Sequence, residues 1–252
     1  MKISLSSQTI HPPNKDSIQS TDYGDGTYFL HPQPIGLQNT APPALHSNHP
    51  NELTTTLVVV DGNLDYAQWL SAGIIEGAKP LILKPDQDGV EQISKATRAY
   101  RFIQHLHILA YAVPGCLYLG NVELNLETLP KYRLQLLTWF MARLRWASEK
   151  PEDQSSPECL YTPACTLSFY AGRLAVGESG TEFLQRLHYL TGAQIAASTQ
   201  PIGNQVLGGT WELDTIISDR ILYASGADHP IPSLPMAATT LAAYPSLLTS
   251  FK

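Results

Sequence analysis

Cysteine is scarce in this chain: Cys116, Cys159 and Cys165 are the three present. Their number is odd and their spacing matches no zinc-ligand pattern, so neither a disulfide framework nor a metal site is expected. No cofactor is expected either, because the glycines from Gly172 to Gly180 are followed by no Lys-Ser/Thr pair and fit no nucleotide fingerprint. Positive charge is thin: 16 Lys and Arg stand against 22 Asp and Glu, a net charge of -6 with no basic tract. A nucleic acid or an anionic membrane surface therefore has no electrostatic support as a partner. Long apolar runs are missing as well. The strongest, Leu57-Val58-Val59-Val60, falls far short of the roughly 18 residues a membrane span requires. Met1 to Gln8 turns polar before any signal-peptide core can form. The expected location is cytoplasmic; the alternative is the cell surface or exterior, reached without an N-terminal signal peptide.

What is present falls into three parts. Residues 1–55 read as an extended arm, interrupted by Pro12-Pro13, His31-Pro32, Pro42-Pro43 and His49-Pro50. Within it Tyr28, Phe29 and Leu30 form an aromatic and apolar patch of the kind that docks into a groove. His11, His31, His46 and His49 lie at irregular spacing in polar sequence and read as solvated. Residues 56–225 read as the folded domain, and 226–252 as a Pro- and Ala-rich second arm whose Leu241, Tyr244, Leu247 and Leu248 are further candidates for partner contact.

Within the domain, β-branched apolar runs alternate with helical periods, the pattern of a mainly parallel sheet covered by helices. Strands are expected at Leu57–Asp61, Pro80–Lys84, His105–Ala110, Thr166–Ala171 and Ala193–Ser198, with a short extra one at Trp211–Leu213. Asp65 is expected to cap a first helix, Asp88-Gly89 to lead into a second, and Thr181 to cap another that Gly192 ends. Alternation around Gly120-Asn121 predicts a hairpin from Cys116 to Leu124. After it, with Asn125 as cap, Leu126–Trp146 is expected to be the longest helix, burying Leu129, Leu134, Leu137, Phe140, Met141 and Leu144.

In an open sheet of this kind the site lies beyond the carboxyl ends of the strands. The loops there hold Tyr111-Ala112-Val113-Pro114-Gly115 and Gly172 to Gly180. Those loops carry a resemblance. Val59-Val60-Asp61, Asp88-Gly89-Val90, Pro114-Gly115, Leu124-Asn125-Leu126, Gly177-Glu178-Ser179-Gly180, Leu190-Thr191-Gly192-Ala193 and Leu207-Gly208-Gly209-Thr210-Trp211 occur in order. From Leu57 to Leu213 the chain resembles the bacterial domain of unknown function 4347, a caspase- and gingipain-like α/β domain. The resemblance implies a caspase-like three-layer sandwich with a mainly parallel sheet.

It also implies where a catalytic pair would sit. The family usually reads Ser-His-Gly-Ser-Pro-Gly after its third strand and Tyr-Gly-Cys after its fourth. Counting back from Pro114-Gly115 and from Gly177-Glu178 places Tyr111 at the histidine and Gly172 at the cysteine. A thiolate nucleophile needs a sulfur and a base, and neither Tyr nor Gly supplies one. The expected function is thus that of a pseudo-peptidase, not an enzyme: a binding or assembly protein that docks to protein partners through its arms. The alternatives are a cysteine-type hydrolase with a displaced nucleophile, drawing on Cys116, Cys165 or His107, and a secreted or surface-associated module. Asp61 and Glu178, which also face the expected cleft, read as cap, turn or partner-contact residues.

Overall fold

The computed structural model describes residues 56–100, 102–140, 165–218 and 231–249. All of them lie in the second of the chain's two units, Asn48–Lys252. In chain order the elements begin with β1 (Thr56–Asp61), α1 (Ala67–Ala72), β2 (Lys79–Leu83), α2 (Gly89–Ala99) and β3 (His105–Leu109). There follow β4 (Ala112–Val113), β5 (Cys116–Leu119), β6 (Val122–Asn125) and α3 (Leu129–Thr138). The last group is β7 (Thr166–Tyr170), α4 (Gly177–Thr191), β8 (Gln194–Ala197), β9 (Thr215–Ile217) and α5 (Ala238–Ala243).

Six strands form one sheet in the order β2-β1-β3-β7-β8-β9. Every neighbouring pair is parallel except β8 with β9. Strand periodicity explains the layers, since alternate side chains face opposite sides of the sheet. β1 sends Leu57 and Val59 into a core with Val90 and Ile93 of α2, Leu136 of α3 and Phe183 and Leu187 of α4. Val58 and Val60 enter a second core with Leu70 of α1 and with Leu234, Tyr244 and Leu248 from near the C-terminal end. The sheet is therefore covered on both faces, which is why its strands read as continuous apolar runs. The expected α/β three-layer architecture with a mainly parallel sheet is the one observed.

Helix starts follow local chemistry. Asp88 caps α2 by accepting from the Glu91 N–H at 3.0 Å. α1 has no such cap: Tyr66 precedes it with φ 62, and the Asp65 side chain does not cap it. Asn125 accepts from the N–H groups of Glu127 and Thr128 at 3.0 and 3.1 Å, making a turn that delays α3 to Leu129. α4 begins at Gly177, four residues ahead of Thr181, whose hydroxyl donates to the Gly177 carbonyl. Gly192 ends it with φ 64, as expected. The extra strand is Thr215–Ile217, not Trp211–Leu213. In α3 the buried positions are Leu129, Tyr132 and Leu136, whereas Leu134 and Leu137 are exposed. Met141, Leu144 and the rest of that segment lie outside the described residues.

Candidate functional site

The two loops expected to meet at the carboxyl ends of the strands do so. The Gly115 N–H donates to the Leu174 carbonyl at 3.1 Å. Gly115 has φ 72, and a Cβ there would lie 2.8 Å from the Ser179 carbonyl oxygen. Gly180 is under similar constraint, its Cβ position being 2.6 Å from the Ala175 carbonyl carbon. Gly115 and Gly180 thus owe their lack of a side chain to close backbone approach, whereas Gly177 has open space around it and a φ of 73 that favours glycine.

Tyr111, at the position where the resemblance implies a histidine, is buried, and its hydroxyl accepts from the Asp65 N–H at 3.2 Å. Burial, chiefly, holds its phenol above the usual tyrosine range, so it stays neutral and is no base at neutral pH. Gly172, at the implied cysteine position, is enclosed by main chain. Its N–H donates to the Leu248 carbonyl at 2.7 Å, and the Leu248 N–H donates to the Ile202 carbonyl at 2.7 Å. A Cβ on Gly172 would lie 2.7 Å from that same Leu248 oxygen and 2.8 Å from Thr249 Cγ2. The space a side chain at position 172 would enter is filled by residues 248 and 249 of the same chain. Arg173 beside it takes φ 62, a strained conformation for a side chain of that size.

That segment is held along its length. The Ile75 N–H donates to the Pro235 carbonyl at 3.1 Å and the Ala237 N–H to the Gly73 carbonyl at 2.8 Å. Asn204 Nδ2 donates to the Tyr244 carbonyl at 2.7 Å, and the Tyr244 hydroxyl to the Asp65 carbonyl at 3.1 Å. The Tyr244 ring sits among Tyr66, Trp69 and Trp211, with centroid separations of 6.4, 6.3 and 5.6 Å. Of the C-terminal residues expected to meet a partner, Tyr244 and Leu248 are fully buried and Leu241 packs partly buried against them. Leu247, half-buried, pairs with Gly203 in an antiparallel bridge. These four are therefore engaged with their own domain, sharing the cover of the sheet's second face with Leu64 and Leu70. Tyr28, Phe29 and Leu30 lie outside the described residues.

A displaced nucleophile finds little support in the side chains themselves. The Cys116 thiol is pushed up in pKa by burial first and by the Glu123 carboxylate second, the reverse of activation. Cys165 is buried at the amino end of β7, opposite the loops, with Sγ 3.8 Å from the Ile103 carbonyl oxygen. Cys159 lies outside the described residues. His107 is buried inside β3 with neither ring nitrogen hydrogen-bonded, and burial, reinforced by His105, lowers its pKa to about 4. Asp61 clamps the hairpin to β1: its carboxylate accepts from the Asn63 N–H at 2.8 Å and the Gly120 N–H at 2.5 Å. Glu178 is exposed in the first turn of α4, where its charge suits the helix dipole. Among the described residues no group of three or more His, Cys, Asp or Glu is placed to hold a metal ion. No described helix is long and apolar enough to cross a membrane.

The close approach of Leu248 to Gly172 was not readable from sequence spacing. The available signal was Gly172 itself, since a glycine at the end of a buried strand often marks a close backbone approach. Comparison with known proteins bears on the same segment. No curated protein and no solved structure matches the chain. A family model matches residues 57–248, so the match runs past Leu213 and takes in the C-terminal segment. The chain belongs to the family described as domain of unknown function DUF4347.

Proposed function

We propose that this chain is a non-catalytic binding or assembly protein on a peptidase-like scaffold. The observation that carries the reading is the hydrogen bond from Gly172 to Leu248 at 2.7 Å, which seats main chain where the resemblance implies a nucleophile. Two further facts support it: the phenol of Tyr111 is neutral and tied to Asp65, and the Cys116 thiol is held in its protonated form. Protein partners are the binding class left by the acidic net charge of -6. Tyr28, Phe29 and Leu30 are the docking residues proposed for the N-terminal arm.

The test is direct. The full chain, incubated with a peptide library and with iodoacetamide at neutral pH, is expected to cleave nothing and to show no fast-labelling thiol. Cleavage that is lost on alkylation would replace this reading with that of a cysteine-type hydrolase.

A further inference from the structure

A helix that buries one apolar stripe normally leaves polar residues outside. α3 departs from this. Leu129, Tyr132 and Leu136 enter the core, yet Leu134 is 74% exposed and Leu137 is 39% exposed. On the neighbouring α4, Phe183, Leu184 and Leu187 are inward, while Tyr189 is 80% exposed. Between these outer surfaces runs a groove of about 390 Å³. Leu126, Leu129 and Pro130 supply apolar wall on the α3 side, and Leu190 with the Tyr189 ring supplies it on the α4 side.

The charges at this groove select what fits. Arg133 and Arg186 both line it. The one ion pair between described residues is Lys95 with Glu91, at 2.8 Å, so neither guanidinium has a carboxylate partner among the described residues. Glu182 also lines the groove and leaves the cations in excess by one, in a chain whose net charge is -6. An unpaired guanidinium presents a fork of donors that matches a carboxylate. We infer that the α3–α4 groove, with Arg133 and Arg186 on its walls, binds an acidic amphipathic segment of a protein partner. The partner's apolar side chains lie against Leu126, Pro130 and Tyr189, and its carboxylates meet the two arginines. A basic segment would leave both guanidinium groups facing like charge, which confers selectivity as well as attraction. The inference rests on the reading of the chain as a binding protein and adds to it a surface and a partner chemistry.

The probe is a dye-labelled helical peptide with leucines along one face and glutamates flanking them, compared with a twin carrying lysines, titrated against the full chain by fluorescence anisotropy. The acidic peptide is expected to bind about ten-fold or more tightly than the basic one. The preference should weaken as salt rises and reverse in the Arg133→Glu, Arg186→Glu double variant. Both arginines are exposed, so circular dichroism should show an unchanged fold; if it does not, the Arg133→Gln, Arg186→Gln pair takes its place and is expected to abolish the preference. Equal binding of the two peptides, or a preference untouched by either pair, overturns the groove assignment. The thiol and peptidase assays are independent of this result. A chain that remains inert there while ignoring the acidic peptide loses the groove alone, whereas peptide cleavage would remove the non-catalytic reading.

Discussion

A methyl group on Gly172 would stand 2.7 Å from a carbonyl oxygen and 2.8 Å from a side-chain carbon, both in the segment that closes the second core. Gly172→Cys therefore cannot simply place a thiol in open space. The variant is expected to lose about 1 to 3 kcal/mol in urea unfolding, as overpacked sites do. Combined with Tyr111→His it should still cleave no peptide, and rapid cleavage would show that the C-terminal segment leaves the cleft easily. His107 sets a different residue-scale expectation. Its pKa falls from 6.5 to about 4 on folding, so between those values the unfolded chain binds more protons. Stability should thus rise with pH across that window and be lost as pH falls through it, by on the order of 3 kcal/mol. His105, lowered by burial, acts in the same direction; Asp61, raised mainly by burial, acts in the opposite one just above 3.8. Because the imidazole makes no hydrogen bond, His107→Leu is expected to flatten the acid limb without loss at neutral pH. An unchanged pH profile in urea titrations of that variant would contradict the assignment.

At the scale of elements, α3 shows how a pattern can mislead. Its sequence offers leucines at 129, 134, 136 and 137, enough for more than one apolar stripe. Periodicity selected Leu134 and Leu137; contact with α2 and α4 selects Tyr132 and Leu136. The Tyr132 hydroxyl donates to Asp88 at 2.9 Å and Trp139 Nε1 donates to Ser94 Oγ at 2.9 Å, polar links to α2 that no apolar period encodes. Leu136→Ala is expected to cost about 2 to 5 kcal/mol and Leu134→Ala under about 0.5 kcal/mol, read from urea midpoints. Equal losses would return the helix to the orientation expected from sequence. The parallel strands were legible for the opposite reason. Leu57 to Val60, Leu106 to Leu109 and Thr166 to Tyr170 are covered on both faces, so each carries its own apolar signal. Strand β3 gives a sharp check: Ile108 is fully buried, and Ile108→Asp should cost several kcal/mol through an unpaired charge. The α4 start and β9 were not legible, because each depends on what the chain meets elsewhere: Leu174 and Ala175 press on Gly180, and β9 exists by pairing with β8.

At the scale of the whole molecule, the C-terminal segment decides where the domain ends. Read as sequence, its prolines and alanines suggest an arm that the core can spare. In the fold, Leu234, Met236, Tyr244 and Leu248 are buried against Val58, Val60, Leu70 and Tyr170. Four such side chains contribute on the order of 1.5 to 3 kcal/mol each when buried, which together approaches the roughly 5 to 15 kcal/mol by which a whole domain is stable. The segment also supplies partners for backbone groups of Gly73, Ile75, Gly172 and Ile202, which would otherwise be left to water. Deleting residues 231–252 is therefore expected to abolish cooperative thermal unfolding or lower the melting temperature steeply, and to expose the apolar second face to a hydrophobic dye. The same deletion opens the space beside Gly172, but it does so by removing part of the core. A truncated chain that still melts cooperatively near the full-length temperature would show that the second face can be closed without its C-terminal cover.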